Sequence, residues 1–118
     1  MDRASIILIA EQNDDDFALI TRGLEQAGVY NRLIRFSDAG KLLNFLFDGQ
    51  STQKSNQCLL FMEADLPGED TLEVLKKIRA SFPFSRIPVV VLAKHDEPQA
   101  IENFYNAGCS VYIVKSPD

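Results

Sequence analysis

The sequence predicts a doubly wound α/β domain, a parallel sheet with helices on both faces, and three observations carry that prediction. Five short aliphatic runs punctuate the 118 residues. Between successive runs, apolar residues recur at helical spacing. The runs themselves are apolar almost throughout, the pattern of strands covered on both faces, and such strands pair in parallel through helical crossovers. At this length one core and one domain, residues 1–118, are expected.

Each element follows in order. Ser5 to Ala10 is a β-branched apolar run and reads as the first strand. Glu11 to Asp16 is an acidic loop in which Asp14 or Asp15 is expected to cap the next helix, carboxylates being favoured at its positive end. Phe17, Ile20, Leu24 and Ala27 give that helix its stripe and Gly28 its stop. Leu33 to Phe36 is a second strand, and a second helix runs from about Ala39 to Phe47. Gln50 to Gln57 is a polar connector. Cys58 to Met62 is a third strand, followed by Glu63-Ala64-Asp65 and the turn Leu66-Pro67-Gly68. Leu72, Leu75, Ile78 and Phe82 mark a third helix that Pro83 ends. Ile87 to Leu92 is a fourth strand with Pro88 at its start, where a missing N–H is tolerated. Pro98 opens a fourth helix bearing Ile101, Phe104 and Tyr105, Gly108 closes it, and Val111 to Val114 is the fifth strand.

Composition excludes several functions. Hydrophobic residues are 46% and charged residues 25% of the chain, an ordinary globular balance. The net charge is −5, and the one tight basic cluster, Lys76, Lys77 and Arg79, sits among acids, so nucleic acid is not expected as a partner. No apolar run approaches a membrane span and no secretory leader is evident, so no membrane association and a cytoplasmic location are expected. Cys58 and Cys109 show no metal-type spacing and read as small hydrophobes, while the single histidine, His95, reads as an exposed loop residue.

In doubly wound sheets function gathers at the carboxyl ends of the strands. That rule selects Glu11-Gln12, Glu63-Ala64-Asp65, Ala93-Lys94 and Lys115-Ser116. A flavin or nucleotide site needs a glycine-rich phosphate cradle after a strand; the acidic loop Glu11 to Asp16 would repel phosphate instead.

These strand ends resemble the receiver domain of bacterial response regulators. Glu11 to Asp16 looks like the acidic-pair loop, and Leu59 to Gly68 like the segment that carries the phospho-accepting aspartate. Ile87 to Ala93 looks like the strand that ends in a switch hydroxyl, and Ala107-Gly108 with Tyr112 to Lys115 like the aromatic switch and phosphate-binding lysine. The resemblance implies a flavodoxin-like sheet of strand order 2-1-3-4-5 and a signalling role in a two-component phosphorelay. It also implies magnesium held by carboxylates beside the phosphorylated residue.

Three matching positions depart from that pattern. The phospho-acceptor position is Glu63, whose extra methylene displaces the carboxylate, and misplacement by about 1 Å can cost roughly two orders of magnitude in rate. The second acidic-pair position is Gln12, and the switch hydroxyl position is Ala93, which has nothing to donate. Glu11, Tyr112 and Lys115 fit. The expectation is a pseudo-receiver, a binding module with no catalytic residue and no required cofactor, at most weak magnesium at Glu11, Gln12 and Glu63. Glu63 would pair with Lys115 and mimic the phosphorylated charge, or Glu11 and Glu63 would be inert remnants. Asp65, on the parity of Glu63, is an alternative acceptor. Tyr112 would act as a switch or pack on Phe104. The alternative function is a working receiver that accepts a phosphoryl group from a histidine kinase.

Receivers usually continue into a fifth helix, for which Ser116-Pro117-Asp118 is too short. Part of one sheet face, with Val89 and Val91 or Val90 and Leu92 beside strand five, would then lack cover. A homodimer, a partner helix or a chain cut short would each account for that face, and a histidine kinase or other signalling protein on the helix-four and strand-five face is the expected partner.

Overall fold

The computed structural model describes residues 5–48, 58–82 and 84–115. Strand β1 (Ile6–Ala10) is followed by helix α1 (Asp14–Gln26), β2 (Arg32–Phe36), α2 (Ala39–Phe47), β3 (Cys58–Glu63), α3 (Thr71–Ala80), β4 (Val89–Ala93), α4 (Pro98–Ala107) and β5 (Val111–Val114). The five strands form one parallel sheet in the order β2-β1-β3-β4-β5. The connector at 50–57, Pro83 and Ser116 lie outside the described residues.

Register separates the two faces. Ile6, Leu8 and Ala10 align with Cys58, Leu60 and Met62, and these continue to Val89 and Val91. This face forms the main core with Ala39 and Leu42 of α2, Val74, Leu75 and Ile78 of α3, and Phe104 of α4. The other face carries Ile7 and Ile9, then Phe61, Val90 and Leu92, and ends at Val111 and Ile113. Ile7 and Ile9 at its centre are buried, but α1 contains no fully buried residue, and Leu19, Val111 and Ile113 stand 54%, 43% and 44% exposed. Val90 and Leu92 therefore lie on the less covered face, and Val89 and Val91 on the closed one.

Local chemistry explains where the boundaries fall. The α1 cap is Asn13, not Asp14 or Asp15: its side chain accepts the Asp16 N–H at 2.9 Å, which leaves all three aspartates in the first turn. Asp38 and Asp70 cap α2 and α3 in the same way. Pro98 begins α4, and Gly108 ends it in the left-handed conformation with φ 109°. A side chain at Gly108 would also meet Arg79 Cγ at 2.8 Å. The α3 stripe stops at Ile78; Phe82 lies beyond the helix and is 92% exposed, and Phe84 is buried in its place. β4 starts at Val89, since Pro88 lends only its carbonyl, to Leu60 N–H. Among the described residues no helix is long and apolar enough to cross a membrane.

The loop after β3 is pressed onto α2. Pro67 O accepts the Ala39 N–H at 2.8 Å, and Gly68, with φ 108°, lies so close that a Cβ would sit 3.2 Å from the same nitrogen.

Candidate functional site

Three strands converge on one cation at the carboxyl end of the sheet. Glu11 leaves β1 buried, its N–H donating to Phe36 O and its Oε2 accepting the Asn13 N–H at 3.1 Å. Glu63 is the last residue of β3 and is also buried. Lys115 leaves β5 with its N–H donating to Ala93 O, which fixes where its side chain starts. Its ammonium donates to Glu11 Oε1 at 2.8 Å and Asp16 Oδ2 at 2.8 Å, and pairs with Glu63 Oε2.

Electrostatics follow from this crowding. Burial pushes the Glu63 carboxyl up, and its charged partner Lys115 only partly offsets that. Burial also disfavours the charge on Lys115, but hydrogen bonds to Asp16, Glu11 and Glu63 outweigh it and hold the ammonium above its ordinary range. One lysine facing three acids leaves the cluster with an excess of negative charge.

The strand-end rule located Glu11, Glu63 and Lys115, and the structure brings all three together. Gln12 stands apart: it is exposed and lines a cleft of about 570 Å³ with Ser37, Asp38, Gly40 and the Pro67–Glu69 turn. Asp16 sits in the cluster instead, a residue the sequence offered only as the last of the acidic loop Glu11 to Asp16. Ala93 is fully buried at the end of β4. Tyr112 packs its ring on Phe104, centroids 5.7 Å apart, and donates its hydroxyl to His95 O at 3.0 Å. Asp65 is exposed in the loop, where its Oδ2 faces His95 Nε2 at 3.7 Å. Cys58 and Cys109 are both buried.

With this geometry in hand, comparison with known proteins is decisive. The family model for the response regulator receiver domain matches residues 7–118. The chain belongs to that family. A curated relative is the response regulator Rcp1 of Synechocystis, 30% identical over 113 residues, which are 94% of this chain and 76% of that protein. A response regulator receiver domain from Rhodospirillum rubrum superposes with a TM-score of 0.87 at 28% identity, covering 96% of this chain and 82% of that one. The phosphorylated cyanobacterial phytochrome response regulator RcpA gives 0.84 at 29% identity, covering 97% and 82%. This receiver is thus a signalling module of the two-component type.

Receivers imply a divalent cation, and the donor set here fits one. Glu11, Asp16 and Glu63 each place a carboxylate oxygen within 4.8 Å of the others, and hard oxygen ligands suit magnesium. These three would hold the ion, which would neutralise charge on an incoming phosphoryl group. Lys115 competes for the same oxygens.

Proposed function

We propose that this receiver works as a pseudo-receiver, a cytoplasmic module that binds a signalling protein without ordinary aspartyl phosphorylation and without a required metal. The observation that carries the reading is the ion cluster: Lys115 is already engaged by Glu63, Glu11 and Asp16. A charge fixed on Glu63 occupies the lysine as a phosphoryl group would, and Ala93 offers no hydroxyl to report a change. The cluster holds one conformation instead of switching between two. The binding face is the α4–β5 surface, where Tyr105 and Val114 are exposed; Phe104 belongs to the core. A second copy covering Val111 and Ile113 is the accompanying proposal for the open face.

Incubation with acetyl phosphate and magnesium, followed by intact mass, tests the reading, and an unchanged mass is expected. A stable phosphoryl adduct on Glu63 or Asp65 would establish the working-receiver alternative. That alternative draws support from the three convergent carboxylates and from the likeness to RcpA, a protein solved in phosphorylated form. Charge mimicry has its own probe in Glu63→Gln, which should weaken partner binding and shift the Lys115 side chain. If both stay as they were, mimicry is wrong.

A further inference from the structure

Arg35 of β2 reaches the cluster without touching any of its four charged groups. Its Nε donates to Glu11 O at 3.0 Å and one terminal nitrogen to Gln12 O at 3.0 Å. The same terminal nitrogen lies 2.8 Å from Asp14 Oδ1, and the guanidinium carbon sits 4.4 Å over the Phe17 ring. One planar cation thus grips two consecutive carbonyls of the β1–α1 turn and the first turn of the helix beyond it. The two carboxylates that this turn delivers to Lys115, Glu11 and Asp16, lie on either side of the grip.

From this we infer that Arg35 is the positioning residue of the ion cluster, the group that sets where Glu11 and Asp16 meet Lys115. Only an arginine fork supplies two donors spaced for two adjacent carbonyls; a lysine is a single point charge at the end of a flexible stem. The Asp14 contact adds little, since that carboxylate is almost fully solvated. Positional control comes from the carbonyl bonds, both charge-assisted on the donor side, of which the one to Glu11 O is partly buried and the one to Gln12 O exposed. Lys115 needs such control because two of its three acceptors come from this one turn, about a hundred residues away in sequence. If the turn relaxes, Lys115 keeps only Glu63. The inference rests on the ion cluster proposed above as the functional centre.

The test is nitrogen-15 spectroscopy of the Lys115 ammonium in the full chain. The wild type should show an ammonium protected from hydrogen exchange by its three acceptors. Arg35→Lys should raise that exchange about tenfold, the loss of one charge-assisted bond, with backbone amide protection in β3 and α3 unchanged. Asp14→Asn, which spares the carbonyl bonds, should leave Lys115 as in the wild type. An unchanged Lys115 signal in a folded Arg35→Lys chain overturns the inference and leaves the ion cluster standing. A wild-type ammonium with no protection overturns the cluster, and the inference with it. Should Arg35→Lys fail to fold, the wild-type Arg35 Nε–H decides: it should exchange about tenfold more slowly than that of exposed Arg22, and equal rates would refute the grip.

Discussion

The two ends of the sheet each hold a partly buried cation, and they use it differently. At the amino-terminal end Arg79 donates to Gly108 O at 2.8 Å, Ile87 O at 2.7 Å and Ser85 O at 3.3 Å, all neutral backbone acceptors from the flanking loops. At the carboxyl end Lys115 faces Glu11, Asp16 and Glu63, all carboxylates. The first arrangement ties loops together through acceptors that carry no charge. The second concentrates charge where a proton, metal or phosphoryl group could change the balance. A fixed clamp and a charge-sensitive centre thus coexist in one small sheet because carbonyls and carboxylates respond differently to their surroundings.

The comparison breaks most visibly if the carboxyl-end cation is removed. Lys115→Met should cost about 4 kcal/mol of stability at neutral pH, because it strands buried carboxylates without their counter-charge. Urea unfolding would measure it, and acid should narrow the deficit as the carboxylates protonate. A loss as large at acid as at neutral pH would show that packing, not charge, holds this end. Arg79→Met should cost about 3 kcal/mol through unsatisfied carbonyls, with a deficit that stays level across the same range. A pH-dependent deficit there would erase the distinction between the ends.

The smallest effect sharpens the sign. Burial raises the Glu63 pKa above its usual 4.5, so between 4.5 and that raised value the folded chain binds more protons than the unfolded one. Stability contributed by Glu63 therefore falls as the pH rises through that window. Glu63→Gln should remove this slope and gain on the wild type as the pH rises through that window. Stability that rose with pH in the wild type but not in the variant would reverse the assignment. Lys115 contributes no slope in this range: with its pKa raised, its stabilisation is complete below 10.5 and is lost only above it.

Much of the fold was legible because its signals are local. Pro98 and Gly108 bracket α4 as their backbone preferences require, and the aliphatic run Val111 to Val114 is β5 to the residue. Phe82 shows where periodicity misleads: the stripe continues on paper past the last helical turn, and the chain instead turns and buries Phe84. At the site, Glu11, Glu63 and Lys115 were legible because strand ends are fixed points of a parallel sheet. Asp16 was not. Among three consecutive aspartates, which one meets Lys115 depends on the phase of α1, and that phase is set by the Asn13 cap and by contacts across the whole chain. Arg35 was hidden for a related reason, since a side chain that grips carbonyls leaves no residue pattern at the gripped positions.

The seating of Gly68 on α2 has a mechanical consequence. With the Ala39 N–H donated to Pro67 O and a side chain at Gly68 brought within 3.2 Å of the same nitrogen, the turn beyond Glu63 and the first turn of α2 are tied together. That one backbone bond ties the loop that follows the buried Glu63 to the first residue of α2, so the position of one constrains the position of the other.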